Sequence, residues 1–431
     1  RKNQCMYGIS AGMEKIVLLQ ASLLMGFWLS ELDEHMEPWY WTGTAINLCQ
    51  MLGLHRNPDS SKVNPAISDR QRQLWRRLWW SSFYRDRWLG LNFGRPLRIN
   101  LNDCDTPMPL VAELLNDVVG IPESTLTEFV PGDLSRLASY WVTLIELSKQ
   151  LGAVITMNYK AIRARPVIQQ FESLEEEILK CQLPDQYESG LTNLAVFIRS
   201  MFTCTTSGSG CFSPFQDHFW LTILDRVLLI ALYRPYGSET PTGLDSVEQE
   251  DWQHRMRLKA GDAASKTNDI LDALAQENLL QFAGPMTPAL LVPAMQTHLL
   301  FYKSADSLTK RLRLHKLEMC MLIMEELGKT YTVASIYRGI SLKAMQQICA
   351  PYQSGTAASN QANISVPTSH PSDRNATVNE AATGQFATET LGTNAPLANS
   401  SEQETEMVGD FVDSLMDETS IFNFWETWNQ M

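Results

Sequence analysis

The 431-residue sequence contains no C-x-x-C pair, no H-E-x-x-H, no D-D-x-x-D, no P-loop and no Rossmann glycine pattern. These absences together remove most motif-borne enzyme and metal chemistry. Its eight cysteines are scattered at 5, 49, 104, 181, 204, 211, 320 and 349. A chain this long needs no disulfide staples, so a reducing compartment is expected. Cys204 and Cys211 are the nearest pair, without His or Cys partners at zinc-finger spacing, so no metal or other cofactor is expected in this chain. Long apolar runs are also missing. The run 16–29 is broken by Gln20 and Ser22 and stops at acidic residues, too short for a membrane span, and no membrane partner is expected. No signal peptide is read, and a first residue of Arg points to a piece of a longer protein.

Basic residues are scarce at one end. From residue 351 onward eleven carboxylates face one basic residue, Arg374, so this part carries −10 of the net −13. The preceding 350 residues are close to neutral, which argues against a protein that coats nucleic acid and for an acidic interaction tail.

What is present is helical periodicity. Helices are expected over 10–32, 38–52, 68–91, 136–151, 158–180, 187–203, 218–232, 251–277, 293–310, 312–330 and 335–348. Ser10 is a candidate cap for the first, Gly53 a stop for the second, and Ser68 or Asp69 a cap for the third. No stretch alternates convincingly as a strand. The fold class expected is all-α, with stacked antiparallel helices forming one large body over 1–350. A Ser/Thr/Ala/Asn-rich linker follows over 351–400, too poor in large apolar residues to build a core and read as disordered. Its Asn-x-Ser/Thr triplets at Asn363, Asn375 and Asn399 are what such composition yields by chance.

Residues 401–431 combine eight carboxylates with Phe411, Leu415, Phe422, Phe424, Trp425 and Trp428, and contain no Lys or Arg. The carboxylates keep these aromatics solvated and available to a partner's groove, as in acidic activation segments. The competing reading is a terminal helix that docks on its own body.

Three other patterns are candidates for chemistry. Gly8-Ile9-Ser10-Ala11-Gly12 matches the G-x-S-x-G nucleophile elbow, but the preceding RKNQCMY is not the buried strand that an elbow requires. Asn268-Asp269 begins like a magnesium motif of helical cyclases, yet Asp272 and Gln276 stand where Ser and Glu ligands are needed. Eight arginines fall between Arg70 and Arg98. They could contact phosphates, but they alternate with tryptophans on a core-facing helix. Stacking on aromatics, pairing with carboxylates and capping helix ends are the better expectations.

The densest passage, 39–109, carries a resemblance. Trp41, Gly43 and Ala45, then Leu52-Gly53-Leu54-His55-Arg56, Arg76-Arg77-Leu78-Trp79-Trp80, Asp86-Arg87 and Gly94-Arg95-Pro96 resemble, in order and spacing, the middle homology region of fungal binuclear zinc cluster (Zn2Cys6) transcription factors. The likeness is greatest to the cutinase-regulator type and extends over about 10–240. Asn47 and Cys49 depart from it, standing where an arginine and a small residue are commoner. The resemblance implies a nuclear transcription regulator with Gly53, Leu54, His55, Arg77, Trp79, Trp80, Asp86, Arg87, Gly94, Arg95 and Pro96 as structural signature residues. It also implies zinc and DNA binding through an N-terminal cysteine cluster, which nothing in this chain matches. DNA contact is therefore expected only through a domain upstream of Arg1, or not at all if the chain is a non-DNA-binding co-regulator. The expected partners are a transcriptional coactivator at the acidic tail and a second copy of the chain as homodimer.

Overall fold

The computed structural model describes residues 15–27, 37–60, 67–116, 119–122, 134–181 and 214–349, apart from positions 161, 163, 277, 281, 282 and 305. Among them the chain is helical: α1 (Lys15–Met25), α2 (Glu37–Met51), α3 (Asp69–Phe93), α4 (Val111–Leu115), α5 (Leu134–Asn158), α6 (Ile168–Lys180), α7 (Pro214–Tyr233), α8 (Ser246–Gln276), α9 (Thr287–Ser304), α10 (Ser307–Gly328) and α11 (Thr332–Ile348). The described residues form no strand, and the lone backbone bridge joins Val167 to Thr242. The expected helix at 187–203, the linker and the acidic tail all lie outside the described residues, as does Gly8–Gly12 with its candidate cap Ser10.

Helix α3 organises the body because its side chains enter three different cores. Trp79, Trp80 and Phe83 pack with Leu19, Ala45, Ile46 and Cys49 of α1 and α2. Trp88 and Leu91 join the core built by α5 to α8. Leu89 and Phe93 enter the third core, with α9, α10 and α11. A helix surrounded this way must be apolar or internally satisfied on nearly every side, and from Leu78 to Leu91 almost every residue is buried. Ser68 caps its start by accepting from the Gln71 amide, and Gly94 ends it in the left-handed conformation at φ 60°.

Several boundaries differ from the sequence reading, each for a local reason. The segment read as one helix from 158 begins only at Ile168, because Asn158 is the last residue of α5 and Pro166 precedes α6. The Asn158 amide donates to the carbonyls of Ala231 and Leu232, both at 3.1 Å, and its Oδ1 accepts from the Tyr236 hydroxyl at 2.9 Å. It therefore serves the C-terminal carbonyls of α7 rather than starting a new helix. Helix α8 starts at Ser246, five residues before the expected start, because Asp245 accepts from the amides of Val247 and Glu248 while Glu248 accepts from the Asp245 amide. Pro293, read as a helix start, lies inside α9. Its missing N–H is tolerated where Leu290, Leu291, Ala294 and Met295 are all buried. The break expected at 311 falls instead before Asp306, which caps α10 through the Leu308 and Thr309 amides.

Candidate functional site

The signature residues lie at the joints around α3. At the end of α2, Gly53 has φ 74°, and the Leu54 amide donates back to the Cys49 carbonyl at 2.9 Å. The backbone of 54–57 then meets the chain that follows the Gly-Arg-Pro turn. Thr106 Oγ1 donates to the Leu54 carbonyl at 2.8 Å, the Asp105 amide to His55 O at 3.1 Å, and the Asn57 amide to Asp105 Oδ1 at 2.7 Å. The His55 ring sits 6.1 Å from that of Trp79, while Trp80 Nε1 donates to Pro107 O at 2.8 Å.

Asp86 is the centre of this arrangement. Fully buried, it accepts from the Arg98 amide at 3.1 Å, the Ile99 amide at 3.1 Å and Arg87 Nη1 at 2.5 Å. Burial pushes its carboxyl above the usual range, against the pull of Arg87 and of the Ile99 and Arg98 amides. Every one of these partners is a donor, so the geometry is built for the carboxylate. Arg87 in turn donates to Ile99 O at 2.7 Å and lies 4.2 Å over the Phe83 ring. Gly94 lets the chain reverse, and the Arg95 amide closes the helix end on Gly90 O at 3.0 Å. A groove of about 830 Å³ runs beside the turn, lined by Arg95, Pro96, Lys149 and Lys160 among others.

The neighbouring arginines are occupied structurally. Arg76 reaches Asp59 at 2.6 Å and Glu113 at 2.7 Å. Arg85 donates to Gly26 O at the end of α1 and lies 3.9 Å over Phe27. Arg98 lies 3.5 Å over Trp39 and donates to its carbonyl. These are the stacking, pairing and helix-end roles expected from the alternation with tryptophan, and they leave Arg76, Arg85 and Arg87 buried. Arg77 has an interaction within the fold as well.

No group of three or more His, Cys, Asp or Glu suited to a metal occurs among the described residues. Asn268, weighed as a metal-motif residue, is buried and donates to Lys316 O at 2.7 Å, with its Oδ1 on His298 Nε2 at 2.8 Å. Asp272 accepts from Gln276 at 2.7 Å. Cys49 and Cys320 are buried thiols pushed up to about 12 by desolvation, which makes them unreactive. Among the described residues, no helix is long and apolar enough to cross a membrane. Sequence reasoning did not single out Ser148, which accepts from Trp88 Nε1 at 2.9 Å, or Gly152. Their signal is spatial, since both lie on α5, about 60 residues from the arginine-tryptophan helix that they serve.

Gly152 yields a direct prediction. A Cβ there would stand 2.6 Å from Arg87 Nε, and Arg87 is tethered at both ends. Gly152→Val is expected to destabilise the protein by about 1–3 kcal/mol through overpacking, read as a lower urea midpoint. An unchanged midpoint would refute the contact.

Comparison with known proteins finds relatives of part of this chain. Residues 9–195 match the family model described as "Fungal specific transcription factor domain". The chain is 28% identical over 367 residues to cutinase transcription factor 1 beta of Fusarium vanettenii, covering 80% of this chain and 41% of that protein. It is 22% identical over 343 residues to cutinase transcription factor 1 alpha of the same fungus, covering 78% and 34%. To the acetamidase regulatory protein of Emericella nidulans it is 40% identical over 131 residues, covering 29% and 15%. The first two are named as transcription factors and the third as a regulatory protein, and the chain spans about two fifths or less of each. No solved structure matches. The signature joints of α2 and α3 lie inside the segment, residues 9–195, over which the chain is similar to the fungal specific transcription factor domain.

Proposed function

We propose that this chain is the regulatory body and activation tail of a fungal RNA polymerase II transcription factor acting in the nucleus on a metabolic or secondary-metabolite gene cluster. The observation that carries the reading is the family match over 9–195, which contains the whole signature passage, together with relatives that regulate transcription. In this reading Gly53, Leu54, His55, Arg77, Trp79, Trp80, Asp86, Arg87, Gly94, Arg95 and Pro96 hold the body together and touch no DNA. The buried guanidinium groups of Arg76, Arg85 and Arg87 support that assignment, because a phosphate contact needs an exposed cation. DNA contact and zinc belong to a cysteine cluster outside this chain. The alternative reading is a co-regulator of a related factor without DNA binding of its own. An in-frame cysteine cluster upstream of Arg1 decides for the factor, and a start codon there without one decides for the co-regulator.

The output surface is the acidic tail. Residues 401–431 fused to a heterologous DNA-binding domain are expected to activate a reporter. Replacing Phe422, Phe424, Trp425 and Trp428 by alanine should remove at least ~90% of that activity, because the aromatics supply the buried contact and the carboxylates the solubility. Neutralising the carboxylates should weaken activation without abolishing it. A silent wild-type fusion would sink the tail assignment.

A further inference from the structure

We propose that a cavity between α3, α5, α7 and the start of α9 is a binding site for a small apolar carboxylic acid, whose carboxylate is received by Arg85 and Tyr84. The cavity measures about 260 Å³, and Tyr84, Tyr140, Trp141, Leu144, Leu224 and Met286 are among its walls. An apolar cavity of about 150 Å³ already holds benzene. At about 30 Å³ per water-sized group, this one takes on the order of nine such groups, the size of a medium-chain or aromatic acid.

The polar end of the ligand is dictated by what stands at the edge of the cavity. A second, smaller space of about 50 Å³ adjoins it, sharing Phe27, Pro285 and Met286, and it is lined by Arg85. Arg85 is the one charged residue lining either space among the described residues. It is 3% exposed, no carboxylate pairs with it there, and its buried Nε has no hydrogen-bond partner. Desolvation lowers its affinity for the proton, and what opposes that effect is the neighbouring Tyr84 hydroxyl rather than a carboxylate. A buried cation without an anion is unfavourable, so among the described residues the site is electrostatically incomplete.

The sulfur of Met286 occupies the position where an anion would go. It accepts from Tyr84 Oη at 3.0 Å and from Arg85 Nη1 at 3.1 Å. A thioether is a weak acceptor on a flexible side chain. A carboxylate in its place would receive the same two donors as charge-assisted hydrogen bonds, with its apolar body in the 260 Å³ space. An amine would meet Arg85 with like charge, and an alcohol would forgo the charge-assisted bond. The proposal rests on this geometry and does not depend on the regulator reading.

The test is calorimetric titration of the full chain with octanoate, octan-1-ol and octylammonium below their aggregation limits. Octanoate should bind at one site per chain, octan-1-ol at least tenfold more weakly, and octylammonium not at all. Leu144→Trp, which fills the cavity from its partly buried wall, should weaken octanoate at least tenfold while leaving the melting temperature of the unliganded protein within a few degrees. Arg85→Met should bring octanoate and octan-1-ol to equal affinity. Absent octanoate binding, equal affinities for octanoate and octan-1-ol in the wild type, or an unaffected Leu144→Trp each overturns the proposal. Should Arg85→Met fail to fold, the wild-type comparison and Leu144→Trp still decide it.

Discussion

Asp86→Ala is expected to destabilise the protein by about 3–5 kcal/mol, the cost of stranding a buried charge partner. The residue that loses most is Arg87. Only 4% exposed, it would keep the Ile99 carbonyl and the Phe83 ring but lose its anion. The backbone loses as well, because the Arg98 and Ile99 amides both donate to the same carboxylate. Those two bonds tie the chain after Gly94-Arg95-Pro96 back onto α3, so the variant should also become sensitive to protease between about 94 and 104. Arg87→Met in the Asp86→Ala background should recover part of the loss, since an apolar side chain in that position needs no counter-charge. Urea unfolding of the two singles and the double measures all three quantities. A single-mutant loss below about 1 kcal/mol would show that Asp86 is dispensable.

Acidification should cost stability through His298. This histidine is fully buried between α8 and α10. Burial first, then the nearby charges of Arg313 and Lys316, hold its pKa down at about 3 in the folded protein. Its Nδ1 lies 3.4 Å from Arg313 Nη1 and its Nε2 2.8 Å from Asn268 Oδ1. Arginine can only donate, so Nδ1 accepts and Nε2 carries the proton. The unfolded chain binds a further proton near the ordinary value of ~6.5, whereas the folded chain does not until about pH 3. The contribution is therefore fully present above that ordinary value and is lost as pH falls through the window between the two. The slope is at most ~1.4 kcal/mol per pH unit, or ~2 kcal/mol between pH 6.5 and 5. His298→Gln keeps a donor for Asn268 and removes the titration. The wild type should lose stability relative to this variant over that interval, and parallel pH profiles would disprove the assignment.

The two variants probe layers of the molecule that were legible to different degrees. Helices α2, α3 and α7 were readable from the helical spacing of their apolar residues, and Gly53 ends α2 as a C-terminal glycine does, whereas α3 runs past the end read at about 91 to its cap at Gly94. The motif order from Trp41 to Pro96 was readable as a family likeness. The roles of its members were only partly so. That arginines would stack and pair followed from their alternation with tryptophan. That Asp86 would gather two amides and a guanidinium depends on the turn at Gly94 folding residues 98 and 99 back against the same helix. Asn268 drew notice only as part of a metal-like motif, and its buried pairing with His298, which joins α8 and α9, carried no sequence signal because the two lie 30 residues apart.

Composition and local periodicity by themselves determined that this protein is a stack of helices with a nearly neutral body, and that its negative charge gathers at the other end. Those properties are sums over residues or neighbours along the chain, so no tertiary information is needed to read them. Only the packed structure decided that one arginine-rich helix would serve three cores at once, that Asn158 would end a helix and serve the carbonyl end of another, and that Arg85 would be buried beside a cavity without an anion. Each of these is a relation between segments distant in sequence, created when burial forces every polar group to find its partner wherever the fold has placed one.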